Sequence, residues 1–320
     1  MQGGSNSPVR GLGFAFLAFA LFATHDAIIK ALGQSYSVFQ ILFFAMLFAF
    51  IPMTVLVLAD RSTGNFRPHH PWLILARSAT TLVSMCCAFF AFATLPLAQV
   101  YALLFATPLL ITVLSVPLLG ETVRAQRWAA VVVGLIGVII VLRPGASALT
   151  GGHLAALGSA LSSSFAAIII RKIGSEERSA VMILYPMLAT IIAMGALLPW
   201  VYEPVELPSL GMMAAVGALS VTAQLGTITA YRFAPAAVIA PMQYSQILWA
   251  TGFGIVFFAE RPDSMVALGA GIVIASGIFI VWRESRANVS ERSPVLKTPN
   301  PRFDAGPSPR PKFWRRKPKA

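Results

Sequence analysis

The chain has 320 residues, of which 57% are hydrophobic and 11% charged. A soluble domain carries about 25% charged residues, and a soluble fold this apolar would expose patches that aggregate, so the composition excludes an ordinary soluble enzyme and points to lipid as the solvent. The net charge of +12 does not indicate a nucleic-acid partner, because residues 283–320 alone hold eleven Lys/Arg against three Asp/Glu and leave the rest of the chain at +4.

A short segment, 1–10, precedes ten apolar stretches. These lie near 11–32, 38–59, 71–93, 97–118, 125–143, 153–172, 180–200, 209–231, 236–258 and 265–283. Each approaches the ~20 residues that a helix needs to cross the hydrocarbon. Near-continuous runs of that length predict helices rather than barrel strands. The first stretch follows Arg10 as a leader peptide would, but His25, Asp26 and Lys30 interrupt its later part, and it has a counterpart further on. Cys86 and Cys87 are adjacent in the third stretch, a poor geometry for an ordinary disulfide. They read as packing residues. Residues 285–320 are basic and proline-rich, and that composition predicts disorder. Its last cluster, Lys312 to Lys319 with Phe313 and Trp314 interleaved, suits either a solvated tail or contact with anionic headgroups.

The chain repeats itself. Gly11 to Gly33 matches Gly152 to Gly174 at an offset of 141, with Lys30 falling on Arg171. Leu95 to Glu121 matches Ala234 to Glu260 at an offset of 139, so that Pro96 meets Pro235, Ala98 meets Ala237, and Phe92 meets Tyr231 just upstream. The expected organisation is two five-helix halves, 11–143 and 144–284. Five is odd, so the second half would enter the membrane from the opposite side. The fold expected is an all-α membrane protein of ten transmembrane helices in two inverted repeats, as in alternating-access transporters.

Loop charge orients this arrangement. With the N-terminus in the cytoplasm, Arg10, Arg61, Arg67, Arg77, Arg124, Arg127, Arg171, Lys172, Arg178 and Arg232 lie inside, and only Lys30, Arg143 and Arg261 lie opposite. The positive-inside rule then puts both termini in the cytoplasm.

The sequence resembles the EamA family of the drug/metabolite transporter superfamily. The residues that carry the resemblance are the run Asp26 to Lys30, the block Ala98 to Pro108 closing with Gly120 and Glu121, and Pro235 to Pro241 followed by Glu260. It covers about residues 11–284. It implies a secondary transporter of the bacterial inner membrane, without cofactor or metal, whose partner is a small-molecule solute. Members carry amino acids, metabolites, vitamins and nucleotide derivatives in either direction. General likeness to riboflavin importers and S-adenosylmethionine carriers makes imported riboflavin-like vitamin the single best substrate expectation. Whether the chain forms a homodimer is left open.

Buried polar groups in a membrane are expensive and usually functional. Asp26 and Lys30 are four apart and can pair on one helix face. Such a pair could meet a zwitterionic solute, and His25 or Asp26 could take up a coupling proton. The structural alternative is a snorkelling Lys30 neutralised by Asp26. In the fourth stretch, Gln99, Tyr101 and Phe105 are candidate solute contacts. In the ninth, Gln243, Gln246 and Trp249 form a stripe beside Tyr244, suited to a flat, hydrogen-bonding solute; interhelical hydrogen bonding would use the same residues. Gln224 is a weaker candidate. Glu121 and Glu260, near Arg124 and Arg261, read as structural or gate ion pairs. Pro108 and Pro241 should kink their helices as hinges. They do not align in the repeat, so the kinks are expected to be asymmetric. The cavity is expected between the first, fourth and ninth helices.

No phosphate loop, dinucleotide fingerprint, zinc-protease helix or nucleophile elbow occurs. The rival readings are an integral-membrane enzyme and a non-transporting scaffold. The first would need clustered acids and histidines, and His69 and His70 sit in a loop with no paired carboxylates nearby in sequence.

Overall fold

The computed structural model describes residues 8–59, 66–144, 149–174, 176–234, 236–261 and 263–285. The basic tail beyond residue 285 and Pro235 lie outside them. The described chain is all-α: α1 Pro8–Leu32, α2 Val38–Ala59, α3 Pro71–Thr94, α4 Leu97–Leu104, α5 Thr107–Leu119, α6 Ala125–Leu142, α7 Gly151–Ile173, α8 Ser179–Val201, α9 Leu207–Phe233, α10 Ala236–Ile239, a 3-10 segment Ala240–Ser245, α11 Gln246–Phe258 and α12 Ser264–Ser285. Among the described residues nine runs are long and apolar enough to span a membrane, α4 and α5 counting together as Leu97–Leu119. The tenth stretch, 236–258, is divided among α10, the 3-10 segment and α11.

The outer face is built for hydrocarbon. Ile51, Val55, Ile192, Leu248, Val256 and Phe257 are 60–72% exposed, which in water would cost ~25 cal/mol per Å² and in lipid does not. Trp72 and Trp200, at helix ends, are among the most exposed side chains and suit the headgroup level.

The stretches bearing Pro108 and Pro241 are both broken, and the first break has a local cause. Pro108 has no N–H to give the Leu104 carbonyl. The Thr107 hydroxyl donates to that carbonyl instead, at 2.7 Å. Ala106 N–H turns to Leu103 at 3.1 Å, a tightened 3-10 contact. Ser164 of α7 donates to the Thr107 carbonyl at 3.2 Å. Ser164 thereby ties α7 to the break. The breaks are unequal, as the out-of-register prolines lead one to expect: two residues separate α4 from α5, whereas a six-residue 3-10 segment separates α10 from α11. Only the restarts are in register, α5 at Thr107 and α11 at Gln246, 139 residues apart. Pro108 and Pro241 each occupy the first positions of the segment after a break rather than a helix interior, where a missing N–H is tolerated. Gly120 then ends α5 in the left-handed region at φ 68, which glycine adopts without a Cβ penalty.

Packing joins the two halves throughout. α1 lies along α9 and α3 along α7; α6 pairs with α12; α2 meets α8 and α9; α3 also meets α8. Glycine permits two of the closest approaches. A Cβ on Gly11 would stand 2.8 Å from the Ala234 side chain, and one on Gly152 2.8 Å from that of Leu95. The offsets of 141 and 139 convert one contact into the other. Lys30, Leu95, Arg143, Gly151 and Glu260 share one end of the bundle. Glu121, Arg171, Glu177 and Arg232 share the other. These are called below the Lys30 end and the Arg171 end.

Candidate functional site

Within α1, His25 and Asp26 have no exposed surface. Each carboxylate oxygen of Asp26 has a partner: His25 Nδ1 at 2.9 Å from Oδ1, and the Tyr101 hydroxyl of α4, which donates to Oδ2. A buried carboxylate so held avoids an unpaired charge in a low dielectric. Rings continue the cluster. Tyr101 lies 5.6 Å from Phe92 and 5.8 Å from Phe105, centroid to centroid, and Phe105 meets Tyr244 edge to face at 4.9 Å. The structure thus joins four of the candidates, Asp26, Tyr101, Phe105 and Tyr244, in one buried chain of contacts.

The expected Asp26–Lys30 pairing gives way to separate partners. Lys30 Nζ pairs with Glu260 at 3.0 Å and donates to the Leu95 carbonyl at 2.6 Å. Glu260 also accepts from the backbone N–H of Leu97 at 3.0 Å, the first residue of α4. A carboxylate there meets an orphan donor and the positive end of the helix dipole. Gly254 backs it, since a Cβ at that position would strike the Glu260 carboxylate. At the Arg171 end, Arg171 donates to Glu121 at 2.6 Å. The neighbours expected from sequence, Arg124 and Arg261, are exposed. The carboxylates instead take cations from the opposite half of the chain, because α1 and α7 end beside them. Under the repeat offsets, Lys30–Glu260 and Arg171–Glu121 exchange.

A cavity of about 310 Å³ opens at the Lys30 end, lined among others by Gln99, Arg143, His153, Glu260, Arg261 and Asp263. Gln99 reaches His153, with 2.8 Å between their Nε2 atoms. His153 also holds Thr150 in a capping box at the start of α7. Arg143 pairs with Asp263. The Met265 N–H, then Arg143 and the Val266 N–H, hold the Asp263 carboxyl below its ordinary range. Gln99 therefore belongs to this mouth, two residues and half a helical turn from Tyr101. His153 went unnoticed in sequence because Gln99, its partner at this mouth, is 54 residues away.

The stripe expected on the ninth stretch crosses a change of helix type. The 3-10 segment, with three residues per turn, carries Gln243, and the α-helix resumes at Gln246. Trp249 packs against Phe16 at 5.2 Å and Phe253 at 6.3 Å. Gln246 Nε2 and Trp249 Nε1 are buried with no hydrogen-bond partner among the described residues. At the junction of α1, α4 and the 3-10 segment, where a cavity was expected, the Tyr101, Phe105 and Tyr244 rings meet, while the larger cavity lies between the fourth and ninth stretches nearer the Lys30 end. A second cavity, about 90 Å³, lies between α2, α3, α8 and α9, where Arg77, Met182, Ser220 and Gln224 contribute to its wall. Arg77, counted among loop charges in the sequence, is a fully buried residue of α3, donating to the Met182 carbonyl.

One further expectation is corrected. His69 and His70 do have carboxylates nearby. His70 Nε2 lies 2.6 Å from Glu176 Oε2, Glu177 accepts from the His70 backbone N–H at 2.6 Å, and His69 lies 3.8 Å from Glu177. The partners are more than 100 residues apart, which no local reading reveals. No cluster of three or more His, Cys, Asp or Glu suited to a metal occurs among the described residues.

An apolar helical bundle with nine runs fit to span a membrane among its described residues, and with mostly buried ion pairs joining its halves, is a polytopic membrane protein. The model of the EamA-like transporter family matches twice, over residues 9–143 and 150–282, and the chain belongs to that family. It is 25% identical over 280 residues to the S-adenosylmethionine uptake transporter of Rickettsia bellii, covering 87% of this chain and 95% of that one. The pseudopaline exporter of Pseudomonas aeruginosa is 24% identical over 273 residues, covering 84% and 95%. The riboflavin transporter of Rhizobium johnstonii is 28% identical over 230 residues, covering 72% and 75%. A solved structure titled only as a crystal structure of protein shares the fold, with a TM-score of 0.58 and 18% identity, covering 85% of this chain and 98% of that one.

Proposed function

We propose that the chain is a secondary active transporter of a small organic solute in the bacterial inner membrane, with two inverted five-helix halves and both termini in the cytoplasm. The observation that carries this reading is the exchange of ion pairs. Lys30–Glu260 and Arg171–Glu121 occupy repeat-equivalent positions at opposite ends of the bundle, and each joins one half to the other. An alternating-access cycle needs such a pair of related closures. On this reading the two pairs are gates, and Pro108 and Pro241, beside the breaks in the fourth and ninth stretches, are hinges. The His25–Asp26–Tyr101 cluster is the coupling site: protonating Asp26 would remove the charge that the histidine and the tyrosine hydroxyl now stabilise.

The named relatives include an uptake transporter, an exporter and a riboflavin transporter, whose solutes differ chemically. Riboflavin is one member of that set, and the class supported is a small polar metabolite rather than one vitamin.

The test is flux in proteoliposomes holding the full chain, with radiolabelled riboflavin, S-adenosylmethionine and an amino-acid mixture, with and without an imposed pH gradient. Gradient-driven accumulation of one solute is expected, with Asp26→Asn abolishing accumulation while sparing solute exchange. Unchanged accumulation by Asp26→Asn would overturn the coupling role. Absence of flux for every solute would overturn the transporter reading.

A further inference from the structure

The smaller cavity was assigned no role by the sequence, yet its wall follows the internal repeat. α2 and α8 begin 141 residues apart, at Val38 and Ser179, and α3 and α9 end 139 apart, at Thr94 and Phe233. With those offsets, Met46 corresponds to Met187, Thr81 to Ser220, and Met85 to Gln224. All six line the cavity. It therefore sits where equivalent positions of the two halves face one another, which is where an inverted-repeat protein can present one site to both sides in turn.

Two of its polar residues have apolar counterparts in the repeat. Arg77 corresponds to Val216, and Gln224 to Met85. Arg77 is 1% exposed and Gln224 4% exposed. Nη1 of Arg77 donates to the Met182 carbonyl, which ties the guanidinium to the cavity wall. Gln224 Oε1 is buried without a hydrogen-bond partner among the described residues, and an unsatisfied buried acceptor costs about 1–3 kcal/mol. A guanidinium held in place is a planar fork of donors matched to a carboxylate. The thioethers around it are polarisable and conform to varied apolar shapes.

We propose that this cavity binds the solute, that Arg77 anchors a carboxylate of that solute, and that Gln224 Oε1 accepts a hydrogen bond from a donor group beside it. Met46, Met85 and Met187 contact the adjoining carbon skeleton. At about 90 Å³ the site takes the carboxylate end of a molecule, not a drug-sized ligand, for which ~300 Å³ or more is usual. The assignment rests on the transporter reading and narrows it to carboxylate-bearing solutes. It departs from the vitamin expectation, since riboflavin has no carboxylate.

The test reads binding, so that its failure is separate from a failure of flux. The full chain carrying Cys86→Ala, Cys87→Ala and Ser220→Cys is placed in lipid nanodiscs. It is treated with anionic sulfonatoethyl or cationic trimethylammonium-ethyl methanethiosulfonate. The anionic reagent is expected to react about tenfold faster, as local field focusing predicts. Adding Arg77→Gln should abolish the preference, and Arg77→Lys should keep it. Millimolar acetate should slow the reaction and acetamide should not. Gln224→Glu reverses the charge preference without altering Arg77, so the proposal stays testable if Arg77→Gln fails to fold. Equal rates for both reagents, a preference that survives Arg77→Gln, equal effects of acetate and acetamide, or a cysteine that neither reagent reaches would each overturn it.

Discussion

Glu260 is held by three kinds of force at once. It pairs with Lys30, it accepts from the first N–H of α4, and it stands on a glycine that leaves it room. Its side chain is 15% exposed and that of Lys30 10%, so the pair lies mostly out of water. Removing one member leaves an uncompensated charge, a loss of ~3–5 kcal/mol where burial is complete and somewhat less here. Lys30→Ala and Glu260→Ala should each lower the thermal midpoint in detergent by several degrees. Lys30→Glu with Glu260→Lys should recover part of the loss, but not all, because the swapped lysine faces the Leu97 N–H and the helix dipole with the wrong sign. Full recovery would show that the dipole contact contributes nothing. No recovery would show that the two side chains do not act as a pair. The sequence foretold both residues as candidates and missed their partnership. Lys30 and Glu260 are 230 residues apart, and only the docking of α1 beside the α11–α12 connection brings them together.

At the scale of elements, most of the helices were legible because hydrocarbon leaves the backbone no other partner. The expected stretches 38–59 and 71–93 reappear as Val38–Ala59 and Pro71–Thr94. The breaks were less legible, since a proline announces a lost hydrogen bond but not how the chain replaces it. At Thr107 the replacement is a hydroxyl on the Leu104 carbonyl. Thr107→Val removes that donor, and the freed carbonyl should cost about 1–3 kcal/mol. Pro108→Ala returns an N–H to the same carbonyl. The double variant Thr107→Val with Pro108→Ala should therefore be more stable than Thr107→Val alone, by thermal unfolding in detergent. If the break is a hinge, the same double variant should transport more slowly than the wild type despite its stability. Stability and flux rising together would argue that the break is only tolerated, not used.

At the scale of the molecule, orientation is the property that the coordinates leave to charge. The Arg171 end carries Arg10, Arg67, Arg124, Arg171, Lys172, Arg178 and Arg232, and the Lys30 end carries Lys30, Arg143 and Arg261. Positive residues are retained on the cytoplasmic side during insertion. The bias is steepest over short loops, and the loops at the Arg171 end are short. The two ends offer exposed positions for a direct measurement, Ser35 at the Lys30 end and His69 at the Arg171 end. In a background of Cys86→Ala and Cys87→Ala, Ser35→Cys should react with a membrane-impermeant maleimide in intact spheroplasts. His69→Cys should react only after the membrane is opened. The reverse pattern would invert the topology and place the basic tail outside, where the attraction of an anionic cytoplasmic leaflet could not reach it. Labelling of both sites from one side would mean that α2, the span between them, does not cross, and would undo the odd number of spans on which the inversion of the two halves rests.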